Sequence, residues 1–448
     1  MKNTFFNKTY ITCLGIATTV VILFFAQVNA YASIFDRFHN PCEPACVEGC
    51  VPEEEVDPCD AICVSKPKSS WGLYTVFQMG VFANEFGQTD NYNLTAPGLI
   101  KQGQHNIFSG NTLSLINTRH SSIQVNQLII GGGRNIDSRH GWDFGGHFDF
   151  AFGTDAILLQ SAGLEFAAGH NSYRTGTYAG SGSWGTGDYY SALGQIYFEA
   201  GYKNFNLKIG KFLSPLGSNS PVSPYRFFYT LPSAAGLYPA TQSGVLATWT
   251  VNKQLTIFGG WTNGIDTTDA LLRGATFDSS DNGGFIGGFN YQLNKRINLK
   301  YAAILGSDER VGLDNDYFIQ SLIVGINISK HWDYKFEWTL NNLDIGNEHF
   351  GAYGINQELT YKYSDKLTLG GRAEYTYYIG GNGAGRIATG LLRGDEGHTN
   401  LSFGASWTLT KYLTLKPEIR YDKFDSKIFN NGQSDHQFSG GLSFIVTL

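Results

Sequence analysis

The chain is poor in charge and in helix-building residues. Only 16% of its 448 residues are Asp, Glu, Lys or Arg, and Met occurs twice. A surface helix needs an abundant polar face and good helix formers, so a helical bundle is excluded as the main architecture. Beyond the N-terminus no run approaches the roughly 18 apolar residues that a membrane helix requires, and mean hydropathy is −0.18. Charge of one sign is also lacking. Net charge is −6, and residues 33–65 alone hold eight acids against Arg37, which leaves the rest of the chain close to neutral. No basic patch of the kind that binds nucleic acid is present. Enzyme signatures are missing too. The glycine stretches Gly131 to Gly133 and Gly380 to Gly385 lack the strand-to-helix setting of a phosphate loop, and His147 and His170 have no Ser or Asp at motif spacing. No cofactor and no metal site is expected.

What the chain does have is glycine, 55 residues, and aromatic rings, 15% of the total, which is material for strands and turns. The N-terminus reads as an export signal over 1–32: Lys2 and Lys8 precede the apolar stretch Ile11 to Phe25, with cleavage expected near Ala30 or Ala32. Residues 33–70 form an acidic, cysteine-rich extension and linker. Cys42, Cys46, Cys50, Cys59 and Cys63 are disulfide candidates, the default for an exported chain. Five is odd, so one sulfur is left for a neighbouring subunit, a covalent or periplasmic partner, or a free thiol.

From Trp71 the apolar and polar residues alternate with period two. In Asp333-Tyr334-Lys335-Phe336-Glu337-Trp338-Thr339-Leu340-Asn341 every even residue is apolar or aromatic and every odd one polar. Sixteen such strands are expected, at about 72–84, 121–132, 141–153, 192–202, 204–213, 241–251, 254–263, 283–292, 296–306, 317–328, 333–343, 351–363, 366–378, 398–409, 412–423 and 435–448. Seven tight joints alternate with eight long excursions, and six of the seven contain a lysine: Lys203, Lys253, Lys295, Lys330, Lys366 and Lys411. That rhythm predicts an all-β fold, a transmembrane antiparallel up-and-down β-barrel over 71–448, with one short-turned rim and one long-looped rim. Both chain ends then fall on the short-turn rim, the periplasmic side of a bacterial outer-membrane barrel. Ser439-Gly440-Gly441-Leu442-Ser443-Phe444-Ile445-Val446 has the spacing of a terminal strand read by outer-membrane insertion machinery.

Two segments, Gly141-Trp142-Asp143-Phe144-Gly145-Gly146-His147-Phe148-Asp149-Phe150 onward to Ala156, and Leu207-Lys208-Ile209-Gly210-Lys211-Phe212-Leu213-Ser214-Pro215-Leu216-Gly217, resemble outer-membrane beta-barrel porin family 2. The second also resembles an element of phosphate- and carbohydrate-selective porins, and the likeness continues through Thr241 to Ile265. The resemblance implies an outer-membrane channel for small hydrophilic solutes or ions, in contact with membrane lipid and assembled as a homotrimer.

The stretch from Ser214 to Ala240 is the third long loop, which in sixteen-stranded porins folds inward and narrows the channel. It carries a single charge, Arg226, beside Tyr225, Phe227, Phe228 and Tyr229, and these five are the constriction candidates. The alternative is a loop that caps the mouth or contacts a neighbour. By strand parity the pore-lining charges are Asp143, Asp149, Glu199, Lys208, Lys300, Lys335, Glu337, Glu358, Arg372, Glu374, Lys416, Glu418 and Arg420, with His147, Asp333, Lys362 and Asp422 on the same face. Both signs occur side by side, which argues against a lysine ladder for phosphate and leaves cross-strand pairing as the plainer role. Two rival readings stand below the channel: a plugged structural barrel tethered through the cysteine unit, and, last, a barrel enzyme.

Overall fold

The computed structural model describes residues 71–87, 121–161, 164–165, 184–186, 189–264, 283–308, 315–345, 348–379, 395–427, 429–430 and 433–448. The export signal and the cysteine-rich extension lie outside the described residues. Sixteen strands form the wall: β1 Gly72–Asn84, β2 Gln124–Arg134, β3 Trp142–Gly153, β4 Tyr189–Tyr202, β5 Phe205–Leu213, β6 Thr241–Thr250, β7 Leu255–Thr262, β8 Gly284–Gln292, β9 Ile297–Asp308, β10 Asn315–Asn327, β11 Trp332–Ile345, β12 Glu348–Lys362, β13 Leu367–Ile379, β14 Glu396–Thr408, β15 Leu413–Phe424 and β16 His436–Thr447. Each pairs antiparallel with its neighbours in sequence. The ring closes where β1 pairs with β16, Val76 opposite Thr447 through Asn84 opposite Ser439. A two-residue strand, Gly185–Thr186, is added against β4.

Alternation decides which face each side chain takes. Along β15, Lys416, Glu418, Arg420 and Asp422 are buried whereas Ile419 is 65% exposed. Phe144, Phe148, Phe150 and Phe152 on β3 are exposed, and Asp149 between them is buried. The outer face is therefore aromatic and aliphatic, as a lipid-facing wall requires, and the inner face polar.

Five of the seven tight joints share a cause in side-chain hydrogen bonding. Asn252 Oδ1 accepts from the Gln254 and Leu255 amides (2.8 and 2.9 Å), and Asn294 Oδ1 from those of Arg296 and Ile297 (2.8 and 3.1 Å). Ser329, Ser364 and Thr410 use their hydroxyls in the same way on the amides two and three residues on. Short polar side chains thus substitute for ladder partners at the point of reversal. The long-looped rim is less uniform than the sequence suggests. β11 and β12 run on to Ile345 and Glu348, so only residues 346–347 separate them, and the eight long excursions become seven. The ladder keeps these β-favouring residues in register, Leu343 opposite Phe350, beyond the point where the polarity pattern fades.

Candidate functional site

Residues 214–240 leave β5 and return at β6, and in between their backbone is bonded to the polar face of strands far around the ring. Wall acceptors take its amides. Ser321 Oγ accepts from the Gly217 amide (3.0 Å), Gln127 Oε1 from Ser223 (3.0 Å), Glu418 Oε2 from Thr230 (2.8 Å) and Glu374 Oε2 from Ser233 (2.6 Å). Wall donors take its carbonyls. Lys416 Nζ donates to Ser223 (2.8 Å) and to the Arg226 carbonyl, Arg372 to Thr230 (2.9 Å), Arg420 to Leu231 (3.2 Å) and Asn341 to Leu237 (2.8 Å). A buried segment with one charge of its own cannot satisfy its peptide groups by itself, and here polar and charged side chains of the wall perform that task.

Thr230 is the centre of this arrangement. It is fully buried, and its hydroxyl donates to Glu418 Oε1 (2.6 Å) while accepting from Arg372 Nη2 (2.9 Å) and Arg420 Nη1 (3.3 Å). Arg372 also pairs with Glu374 (2.8 Å) and lies 4.5 Å from the Phe228 ring centre. Arg420 pairs with Asp422 (2.7 Å), which in turn meets His398 (2.9 Å). Aromatic rings of the loop sit on glycines of the wall. A Cβ at Gly80 would collide with the Tyr229 hydroxyl and ring, and one at Gly370 with the Phe227 ring. The loop's own turn at Gly217, φ +75°, lies under the Tyr238 ring, a conformation and a closeness that favour glycine.

A second segment supports the first. After β3 the chain makes a short 3-10 helix, Thr154–Leu159, whose Asp155, Ala156 and Leu159 are buried. Asp155 accepts from Gln127 (2.7 Å) and lies 3.6 Å from Arg226 Nη2. Burial pushes the Asp155 carboxyl up to about 6, against the pull of Arg226 and of its hydrogen bonds, and burial lowers the Arg226 guanidinium from its ordinary range. Lys211 Nζ donates to the Leu159 carbonyl (2.7 Å) and pairs with Glu165 (3.1 Å).

The constriction candidates therefore occupy different places. Arg226 is buried, donating to the Pro221 (2.6 Å) and Tyr229 (3.3 Å) carbonyls as well as facing Asp155. Tyr229 is buried with its hydroxyl donating to Asn126 Oδ1 (2.9 Å), and Phe228 is buried, whereas Tyr225 is 69% exposed. Tyr225 and Phe227 border a cavity of about 400 Å³ with Thr368, Thr408, Thr414 and Thr447 at the short-turn ends of β13 to β16. A second cavity, about 230 Å³, lies between the loop and Leu158, with Lys300 in its lining.

The wall charges divide in two. Glu337, Glu358, Arg372, Glu374, Lys416, Glu418 and Arg420 are buried; Ser218 donates to Glu337, and Glu358 pairs with Lys335 (2.7 Å). Asp149 is buried too, accepting from Gln195 (2.6 Å) and from Tyr74. Glu199, Lys208, Lys300 and Lys335 remain half-buried. Asn206 donates to Glu199, Lys208 lies 4.2 Å from the Tyr197 ring centre, and Lys300 donates to the Gly217 carbonyl (3.4 Å). Asp143 is held at the short-turn rim by Arg134 (2.8 Å). Sequence reasoning missed Gln127, Asp155 and Thr230. The apolar run Ala156-Ile157-Leu158-Leu159 in a long connection was a usable signal, because such a run buries itself wherever it can.

The family model described as beta-barrel porin-2, OmpL-like matches residues 93–448. Among curated proteins none matches the chain. Among solved structures it is similar to OmpT of Vibrio cholerae in its trimer form, at 11% identity over 85% of this chain and 99% of that one, TM-score 0.51. An anion-selective porin from Comamonas acidovorans is 9% identical over 85% and 99%, TM-score 0.53. Salmonella typhi OmpF, in complex with daunomycin, is 8% identical over 84% and 97%, TM-score 0.51. Identities this low speak for a shared fold alone.

Proposed function

The chain belongs to the beta-barrel porin-2, OmpL-like family of bacterial outer-membrane barrels, and from that premise we propose that it passes small hydrophilic solutes by diffusion through a lumen narrowed by residues 214–240. The observation that carries this reading is the bonding of the loop backbone to side chains of β2, β10, β11, β13 and β15, on the face opposite the lipid-facing rings. In this reading Arg226 and Tyr229 brace the narrow stretch, and Tyr225 and Phe227 face the solute. Glu199, Lys208, Lys300 and Lys335 are the wall charges it would meet, and the buried Glu337, Arg372, Glu374, Lys416, Glu418 and Arg420 hold the loop. No cofactor is needed, since width and fixed charge sieve the solute. Family and fold both favour a channel over an enzyme. A homotrimer is proposed from the trimer form of the similar OmpT.

Planar-bilayer recording of the folded, purified protein tests the reading. Discrete conductance steps are expected, and a correctly inserted barrel that gives none would overturn it.

A further inference from the structure

The lysine-bearing turns take no part in the proposed passage. Between the strands, the seven short connections carry eight cations, namely Lys203, Lys253, Lys295, Lys330, Lys366, Lys411, Arg139 and Arg296, against Asp137 and Asp365, a formal +6 on one rim. Both carboxylates are already engaged, Asp137 with Arg139 (2.8 Å) and Asp365 with Lys362 (2.7 Å). The six lysines are exposed, and among the described residues none of them is ion-paired. Lysine suits any exposed turn, but recurrence in six of seven, with no counter-ion among the described residues, suits a partner that supplies negative charge along the whole circumference.

The outer face at the same rim shows where that partner lies. Trp142, Tyr202, Phe205, Trp249, Trp332 and Trp407 are all exposed there, within a few residues of the turns. Trp142 packs against Tyr202 (5.1 Å between ring centres), and Phe205 lies opposite Trp249 in the ladder. Such a belt marks the depth of the lipid headgroups. Lys203 Nζ lies 5.2 Å from the Tyr202 ring centre, and Lys411 Nζ 4.5 Å from that of Tyr412. The ammonium groups are thus held at the rings' own level, the place where a lysine reaches headgroup phosphates.

We propose that the short-turn rim is a binding surface for anionic phospholipid headgroups, with the turn lysines pairing to phosphates just beyond the aromatic belt. The site fixes the depth of the barrel and gathers anionic lipid around it. It is independent of solute passage.

The test compares spin-labelled phosphatidylglycerol with spin-labelled phosphatidylcholine bound at the surface of the folded barrel in phosphatidylcholine vesicles. The native protein should prefer phosphatidylglycerol at low salt and lose that preference as salt rises. A variant with all six turn lysines changed to glutamine should lose it at every salt concentration while keeping its circular dichroism and its heat-shifted gel migration. Equal association of the two lipids with the native protein would overturn the proposal. So would a preference unchanged in the variant, or lysine-dependent binding of soluble polyglutamate without any lipid preference. If the variant fails to fold, the salt titration of the native protein decides alone.

Discussion

At the scale of single residues, Thr230 shows how an uncharged side chain can hold a charged wall together. Its hydroxyl is shared by Glu418, Arg372 and Arg420, and its amide by Glu418. Thr230→Val keeps the shape and removes one donor and acceptor, leaving buried charged partners short of a bond, which costs about 1–3 kcal/mol. Trypsin reads the result. Arg226 is the single trypsin site between Lys211 and Lys253, and it is buried in the native protein. Native protein should resist cleavage after Arg226, and the variant should yield fragments ending and beginning there; equal resistance would show that Thr230 does not hold the loop. Asp155 carries a pH dependence of its own. With its folded pKa raised to about 6 by burial, the folded protein keeps a proton between pH ~4 and about 6 that the unfolded chain releases. The contribution is full below that window and lost as pH rises through it, a change of at most about 3 kcal/mol. Unfolding followed by gel migration should therefore show stability falling with pH across the window, and Asp155→Asn should flatten that slope; an unchanged slope in the variant would remove Asp155 as its source.

At the scale of elements, the strands were legible and their cover was not. Period two places Glu337, Arg372 and Glu418 on the polar face, because parity is a local property of the chain. It cannot tell whether that face meets water or a loop 104 to 188 residues away in sequence, as Asn341, Glu374 and Glu418 do. Of the thirteen charges read as pore-lining, seven bond the peptide groups of residues 214–240: Lys300, Glu337, Arg372, Glu374, Lys416, Glu418 and Arg420. The single charge of that loop and its aromatic cluster did mark it as a segment that would pack. What it packs on depends on the glycine floors at Gly80 and Gly370, which are visible only once the wall is closed. The tight joints were legible for a related reason: Asn252, Asn294, Ser329, Ser364 and Thr410 act within three residues of themselves.

At the scale of the whole molecule, the sheet is held by backbone bonds and the loop by side chains of the wall, and this separates their fates. The wall is a continuous ladder closed between β1 and β16, with Gln78 on β1 donating to Ser443 on β16 (2.8 Å) at the seam. None of those ladder bonds passes through residues 214–240. Replacing residues 216–238 by a short glycine-serine link should leave the barrel closed, with its heat-shifted gel migration retained. The uncovered wall would then expose Glu337, Glu374, Glu418 and Asp422 beside Arg372, Lys416 and Arg420, charges of both signs that water in the lumen can solvate. Single-channel conductance should rise with little ion preference gained, since neither sign dominates. A closed barrel whose conductance is unchanged would mean that the loop does not set the width of the passage, and the constriction would have to be sought on the half-buried side of the wall, around Lys208 and Lys300.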